Sequence, residues 1–331
     1  MRRDPVVVDQ TVAESVDGVT PIPQRIAVKP EFEERYRALL GDRYDEFMRH
    51  SLAYARKAIR VNTLKIGAAA LRKRLERDWS LTPVPWCDEG FFLEYRHGKR
   101  FDVGNLPEHQ LGYVYVQDPA SMIPPIVLDP KPGEFVLDLC AAPGSKTTQL
   151  AMMMANNGVL VANDVSGDRL KPLGLNLQRC GVMNTIVTVH ANRHLPPVFD
   201  RVLVDAPCSA TGTVRRSLKA LQMWSPGFVR RMAAEQRSIL ECGWRLLKPG
   251  GTLVYSTCTL EPEEDEGQVS AFLDRHPDAE ILLVDLPITR SPAVTSFNGA
   301  VYRQEVERCL RIGPEDNDTE GFFVAKLRKK T

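Results

Sequence analysis

The sequence predicts an α/β protein, a doubly wound and mostly parallel sheet preceded by a small α+β module. Three observations carry that expectation. From about residue 134 onward, short strand-like runs alternate with helical stretches, which is the order of a parallel sheet wound with helices. Those runs are apolar almost throughout, as strands covered on both faces are. Before residue 134 the alternation is absent and shorter, mixed elements take its place.

Residues 1–27 show neither helical nor strand periodicity and carry Pro21 and Pro23. They read as a flexible or loosely docked extension. EFEERYRALLGDRYDEFMRHSLAYA (31–55) predicts two amphipathic helices broken near Gly41. IRVNTLK (59–65) and LTPVPW (81–86) read as short strands flanking the helix AAALRKRLERDW (68–79), and YVYVQ (113–117) adds another strand. These elements form a module over 28–125, leaving 126–331 as the larger domain. The strands expected there are EFVLDL (134–139), GVLVAND (158–164), NTIVTVH (184–190), FDRVLVD (199–205) and GTLVYST (251–257). Helices are expected at KTTQLAMMMA, DRLKPLGLNLQRC and VRRMAAEQRSILECGWRLL, and GFFVAKLRK (321–329) is a candidate last strand. KPG at 131–133 and 248–250 supplies turns before two of the strands.

Bulk properties narrow the function classes. The chain has 331 residues, 43% hydrophobic and 26% charged, so a packed core is expected. A net charge of +1 gives no global attraction to nucleic acid, and local charge has to decide that point. No apolar run approaches the length of a membrane span, and the N-terminus lacks a signal-peptide core. A cytoplasmic protein without a membrane partner is expected. The seven cysteines stand at 87, 140, 180, 208, 242, 258 and 309, the closest pair 16 apart, so no zinc clip is formed and no metal is expected. Reduced thiols are expected, most of them packing residues.

The chemistry gathers where strands end. DLCAAPGSKTTQL (138–150) runs off a strand into a helix, a place where helix N–H groups and strand ends open onto a ligand crevice. A P-loop needs glycines six and one residues before its lysine, but Cys140 and Ser145 stand there before Lys146, and GxGxxG is also absent. About 25 residues on, a strand ends in Asn163-Asp164. An acid there can accept from both ribose hydroxyls, or it can simply cap the following helix. A small-residue loop plus a ribose acid suits an adenosyl ligand without a pyrophosphate, such as S-adenosylmethionine. DAPCSATG (205–212) and VYSTCTL (254–260) follow two further strands. In a parallel sheet Asp205 and two thiols, Cys208 and Cys258, therefore converge on that crevice.

DLCAAPGSKTTQL, VDAPCSATGTVRR and VYSTCTLEPEEDE resemble the cofactor loop, the Pro-Cys motif and the Thr-Cys motif of the Nop/Sun family of RNA (cytosine-5) methyltransferases. IRVNTLK and YVQDPASMIPP are similar to that family's N-terminal RNA-binding module, and the compact chain with its EGFFVAKLRK ending resembles the archaeal tRNA-modifying branch. The resemblance spans roughly 31–329 in one order. It implies a Rossmann-like class I methyltransferase fold and S-adenosyl-L-methionine as methyl donor. It also assigns roles. Cys258 attacks carbon 6 of cytosine, Cys208 assists removal of the carbon-5 proton and enzyme release, Asp205 binds the base, and Lys146 supports the intermediate.

For the cofactor, the resemblance implies Cys140, Ala141, Ala142, Pro143, Gly144, Ser145 and Lys146 around the methionine part. Asp164 would hold the ribose, with Arg169, Asp205 and Asn192 nearby. Asn192 stands where the family usually has an aspartate contacting adenine, and Ser145 where many members have a second glycine. Chemistry accounts for a thiol at a strand end, because carbon 5 of cytosine becomes nucleophilic only after a thiolate adds to carbon 6. The acid run 261–266 reads most simply as the start of a solvated helix.

Residues 56–100 hold 11 Lys/Arg and 5 Asp/Glu, the best candidate stretch for RNA phosphate contacts, with Arg60 and Lys65 singled out. The triplet Arg72, Lys73 and Arg74 fits a solvated helix face equally well. Arg215, just after the Pro-Cys loop, is a third candidate beside a base flipped out of its stack. The expected function is methylation of tRNA by a monomer. Ribosomal RNA is the near rival, and a catalytically idle RNA-binding protein or a small-molecule methyltransferase are the distant ones.

Overall fold

The computed structural model describes residues 6–10, 19–23, 25–98, 100, 102–189 and 196–331. Val6–Asp9 (β1) pairs antiparallel with Arg25–Val28 (β2). So part of the N-terminal stretch expected to be loose is strand, and Val8 packs on the helices that follow. No apolar alternation marks it, because the pairing partner is another short strand 16 residues away in Asp9–Arg25.

Pro30–Leu40 (α1) and Tyr44–Ser51 (α2) are the two expected helices, separated at Gly41, whose φ of 56° suits a residue without a side chain. Lys57–Val61 (β3), Ala68–Leu75 (α3), Trp79–Val84 (β4), Cys87–Tyr95 (β5), Pro107–Gln110 (α4) and Val114–Val116 (β6) complete the module. Its sheet runs β4-β5-β3-β6, antiparallel throughout. The nine-residue β5 is absent from the sequence reading, because acids and Gly90 interrupt its apolar run.

The larger domain opens with Ile123–Leu128 (α5). Phe135–Asp138 (β7), Ser145–Met153 (α6), Val159–Asp164 (β8), Gly167–Cys180 (α7), Thr185–Val189 (β9) and Phe199–Asp205 (β10) follow. Then come Lys219–Met223 (α8), Pro226–Leu246 (α9), Leu247–Thr257 (β11), Glu266–Arg275 (α10) and Ala279–Leu282 (β12). The hairpin Ser296–Phe297 (β13) with Ala300–Val301 (β14), then Leu310–Ile312 (β15), Pro314–Asn317 (α11) and Phe322–Lys329 (β16), close the chain. The main sheet has the order β12-β16-β11-β10-β7-β8-β9. Strands β7 to β11 are parallel to their sheet neighbours among themselves, and β16 runs antiparallel beside β11.

Burial explains the arrangement. Val136, Leu137, Val202, Leu203, Val204, Leu253, Val254 and Tyr255 are fully buried in the three central strands. Helices α5 and α6 cover one face, and α9 and α10 the other. Because β7, β8, β10 and β11 are parallel, their carboxyl ends share one edge, and Asp205 stands level with Ser256 there. Among the described residues no helix is long and apolar enough to cross a membrane.

Candidate active site

The crevice is built from four strand ends. Beyond β7 the loop to α6 is tied to the next strand: Ala141 N–H donates to Asn163 O (2.7 Å) and Asn163 Nδ2 donates to Leu139 O (3.0 Å). Gly144 has a φ of 105°, and a Cβ there would lie 2.9 Å from Leu173 Cδ1. The loop's tight position therefore falls on Gly144, and Ser145 is already the first helical residue. Arg169 Nη2 donates to Ala142 O (2.8 Å) and Asn176 Nδ2 to Pro143 O (2.9 Å), so α7 holds the loop from outside.

Asp164, 2% exposed, ends β8. Its Oδ1 accepts from Ser166 N–H (3.1 Å) and its Oδ2 from Ala142 N–H (3.3 Å), with Arg169 Nη1 at 3.3 Å. It therefore braces the start of α7 and the loop, alongside any ligand role. Asp138, beneath the loop, accepts from Thr147 Oγ1 (2.7 Å), while its other oxygen is buried without a partner. Burial pushes Asp138 up to about 7. Burial also pushes the Cys140 thiol well up, which makes Cys140 an uncharged wall of the crevice.

The second half of the site faces this loop. Asp205 accepts from Lys146 Nζ (2.7 Å) and from Ser256 Oγ (2.8 Å), and Lys146 also donates to Ser121 Oγ (3.1 Å). Cys208 and Cys258 are half-buried, with their sulfurs 3.3 Å apart. The Cys208 thiol is pushed well up, first by its hydrogen bond to Cys258 and then by burial. Backbone contact locks the two cysteine loops together. Gly212 N–H donates to Cys258 O (3.1 Å), Gly321 N–H donates to Gly212 O (2.8 Å), and a Cβ on Gly212 would lie 2.2 Å from Gly321 O. Behind the thiols, Thr259 Oγ1 bonds Ser209 Oγ (2.7 Å) and Thr211 Oγ1 (2.8 Å).

The structure corrects the reading of the acid run. Glu261, Glu264, Asp265 and Glu266 are fully buried, not a solvated helix start. Each has partners outside the run. Glu261 receives Arg35 Nε (2.7 Å), Tyr36 OH (3.1 Å) and Trp224 Nε1 (2.7 Å). Glu264 receives Ser209 N–H (3.0 Å) and Gln236 Nε2 (2.7 Å). Asp265 receives Thr257 Oγ1 (2.6 Å), and Glu266 receives two bonds from Arg311 (2.8 Å each). Burial pushes Glu264 up to about 7. None of these partners lies within the run, so local sequence holds no signal for them.

Two of the three RNA-contact candidates are also corrected. Arg60, 1% exposed, donates to Gln117 Oε1 (2.5 Å), Thr148 Oγ1 (2.9 Å), Ser145 O (2.9 Å) and Gln149 Oε1 (3.1 Å). It pins β3 of the module to the first turn of α6, the turn that carries Lys146. Arg215, 5% exposed, donates to Thr319 O (3.0 Å), Tyr54 O (2.9 Å) and Asp318 Oδ1 (2.8 Å). Lys65 is exposed, but its ammonium donates to Leu111 O (3.0 Å) and Arg179 O (2.8 Å). Arg60→Ala should therefore cost about 3 kcal/mol of stability by orphaning several buried acceptors. Urea titration of the variant measures this; an unchanged midpoint would contradict the bracing role. Asn192 lies outside the described residues.

This wound sheet, with a tight loop at Gly144, a strand-end acid and a cysteine pair at one edge, has the fold of a Rossmann-like methyltransferase. Two family models match the chain, "16S rRNA methyltransferase RsmB/F" over residues 125–328 and "N-terminal domain of 16S rRNA methyltransferase RsmF" over residues 28–119. The chain belongs to the Nop/Sun family of RNA methyltransferases.

It is 43% identical over 308 residues to tRNA (cytosine(49)-C(5))-methyltransferase of Pyrococcus abyssi, covering 91% of this chain and 96% of the relative. It is 40% identical over 314 residues to ribosomal RNA small subunit methyltransferase F of Erwinia tasmaniensis, covering 92% of this chain but only 64% of that longer relative. The solved structure of NSun6 from Pyrococcus horikoshii with SFG superposes with a TM-score of 0.78 at 26% identity, covering 91% of this chain and 98% of that one.

Proposed function

We propose that this chain methylates carbon 5 of a cytosine in tRNA, using S-adenosyl-L-methionine and a covalent adduct between Cys258 and carbon 6. The observation that carries the reading is the cysteine pair, sulfurs 3.3 Å apart, beside the Lys146–Asp205 ion pair at one sheet edge. A packing role would need neither two thiols in contact nor a buried lysine.

The residues of the crevice fit the cofactor. Three carboxylates, Asp138, Asp164 and Asp205, end three neighbouring strands, and one Asp138 oxygen is buried without a partner. That set suits a ligand carrying an ammonium, a sulfonium and ribose hydroxyls. Helix α6 starts without a side-chain cap, so its first N–H groups suit the ligand's carboxylate. Residues Cys140 to Lys146 would surround the methionine part, with Asp164 on the ribose. When bound, S-adenosyl-L-methionine supplies a methyl group as a carbon electrophile.

The protein's own residues do the rest. The Cys258 thiolate gives the electron pair of the new sulfur–carbon 6 bond, and ring electrons shift so that carbon 5 becomes nucleophilic. Asp205 and Lys146 stabilise the charge that develops on the ring. Once Cys258 is a thioether it carries no charge, and its coulombic share in raising Cys208 is gone. Cys208 then loses its proton to water and takes the carbon-5 proton. The carbon–hydrogen pair rebuilds the ring double bond, and the sulfur–carbon 6 pair returns to Cys258.

Two experiments test this reading. Methylation of purified tRNA and 16S rRNA, mapped by bisulfite sequencing, should show the product in tRNA; product in 16S rRNA alone would favour the rival substrate that the family descriptions suggest. Asp164→Ala should weaken cofactor binding at least tenfold, since hydrogen bonds to a charged acceptor are worth about 1.5–3 kcal/mol each. Unchanged affinity by calorimetry in a folded variant would remove Asp164 from the cofactor site.

A further inference from the structure

Cys208 sits on a turn that is gripped on both sides. Before it, Pro207 O accepts from Gln236 Nε2 (2.9 Å). After it, Ser209 N–H donates to Glu264 Oε2 (3.0 Å). The two gripping side chains also bond each other, Gln236 Nε2 donating to the same Glu264 oxygen (2.7 Å). Both are fully buried, and they come from α9 and from the segment just past Cys258. Glu264 is further anchored through its backbone, where its carbonyl accepts from Tyr255 OH (2.6 Å) in β11. A buried carboxyl is costly unless its hydrogen bonds repay the loss of water. Here one carboxyl oxygen, Oε1, still lacks a partner. A residue kept only for packing would be better served by an apolar side chain of the same size.

We propose that Glu264, acting with Gln236, is a positioning residue for Cys208, setting the 207–209 turn so that the thiol faces the proton on carbon 5 during release. This rests on the covalent reading above. The same carboxylate also adds, after the Cys258 hydrogen bond, burial and the Cys258 charge, to the upward push on the Cys208 thiol. The grip gives the release step its geometry without touching the substrate. The attacking sulfur is held differently, by its own strand end and by the Gly212 backbone.

The role predicts a partition that a general brace would not. With Glu264→Ala, single-turnover methylation should stay near the native rate. Turnover should fall about 10–100-fold, the scale on which a misplaced catalytic group costs rate, and a denaturant-resistant RNA–protein band should build up. Glu264→Gln keeps the acceptor for Ser209 N–H and should recover turnover to within a few-fold of native. Combining Glu264→Ala with Cys208→Ala should be no slower in release than Cys208→Ala alone, because both act on one step.

Native turnover without an adduct in Glu264→Ala would overturn the assignment. Loss of single-turnover methylation would also overturn it, since it would show the residue serving Cys258 or the fold. If Glu264→Ala does not fold, Gln236→Ala removes only the donor to Pro207 and Glu264, and it must show the same slowed release for the inference to stand. Cys208→Ala is the control for the underlying reading. No adduct there ends the covalent mechanism itself, whereas an adduct there and none in Glu264→Ala ends only the positioning role.

Discussion

Cys258→Ala is expected to abolish methylation, a loss of about four orders of magnitude or more, as when a nucleophile is removed, and to leave no covalent RNA adduct. Cofactor affinity should be unchanged, because β10 separates the strand end that carries this thiol from β7, which leads into the 140–146 loop. Cys208→Ala should behave in the opposite way. Attack and methyl transfer proceed, the carbon-5 proton is not removed, and enzyme accumulates joined to its RNA. The contact between the sulfurs, 3.3 Å apart, lets both thiols serve one base. The assignment of attack to Cys258 rests on the resemblance of the Thr-Cys motif to that of the family. Gel analysis of each variant with RNA and cofactor decides the matter. An adduct in Cys258→Ala and none in Cys208→Ala would assign attack to the Pro-Cys thiol. Full methylation in both variants would end the covalent reading.

The convergence of Asp205, Lys146, Cys208 and Cys258 was legible because it follows from chain direction alone. Parallel strands with ligand-bearing residues at their carboxyl ends bring those residues to one edge. What the sequence did not reveal depends on contacts between distant segments. Arg60 lies in a basic stretch, yet β3 is an interior strand of its sheet and that side chain points into the seam against α6. A charge count along the chain cannot separate a buried guanidinium from a phosphate-binding one. The acid run misleads in the same way. Its cations, Arg35 and Arg311, stand 226 residues before Glu261 and 45 after Glu266. Strand β5 was missed for a local reason: Asp88, Glu89 and Gly90 break its apolar pattern before Phe91 begins it.

Arg311→Met should destabilise the fold by about 3–5 kcal/mol, the usual result of removing one partner from a buried ion pair. Arg311 is 5% exposed and makes two bonds to Glu266 (2.8 Å each), a longer one to Asp265 (3.5 Å) and one to Leu260 O (3.2 Å). Burial works against its charge, but Glu266 and Asp265 outweigh that and raise its pKa. Asp265 is itself pushed well up by burial.

Without the guanidinium, Glu266 keeps the Val294 N–H (3.0 Å), and Asp265, already pushed well up by burial, loses the cation that lowers it. A carboxyl whose folded pKa lies above its unfolded value of about 3.9 makes the fold most stable at low pH and less stable as pH rises. The deficit of the variant should therefore be smaller near pH 5 than near pH 8. Adding Glu266→Leu should restore much of the loss, because a well-packed apolar residue can replace a buried ion pair at little cost. Urea titrations at the two pH values measure both effects. A deficit that does not vary with pH would mean Arg311 acts through packing rather than charge. The consequence reaches the site, because Asp265 accepts from Thr257 Oγ1 (2.6 Å), the residue before Cys258. A variant that frees Asp265 should loosen the strand end on which Cys258 stands.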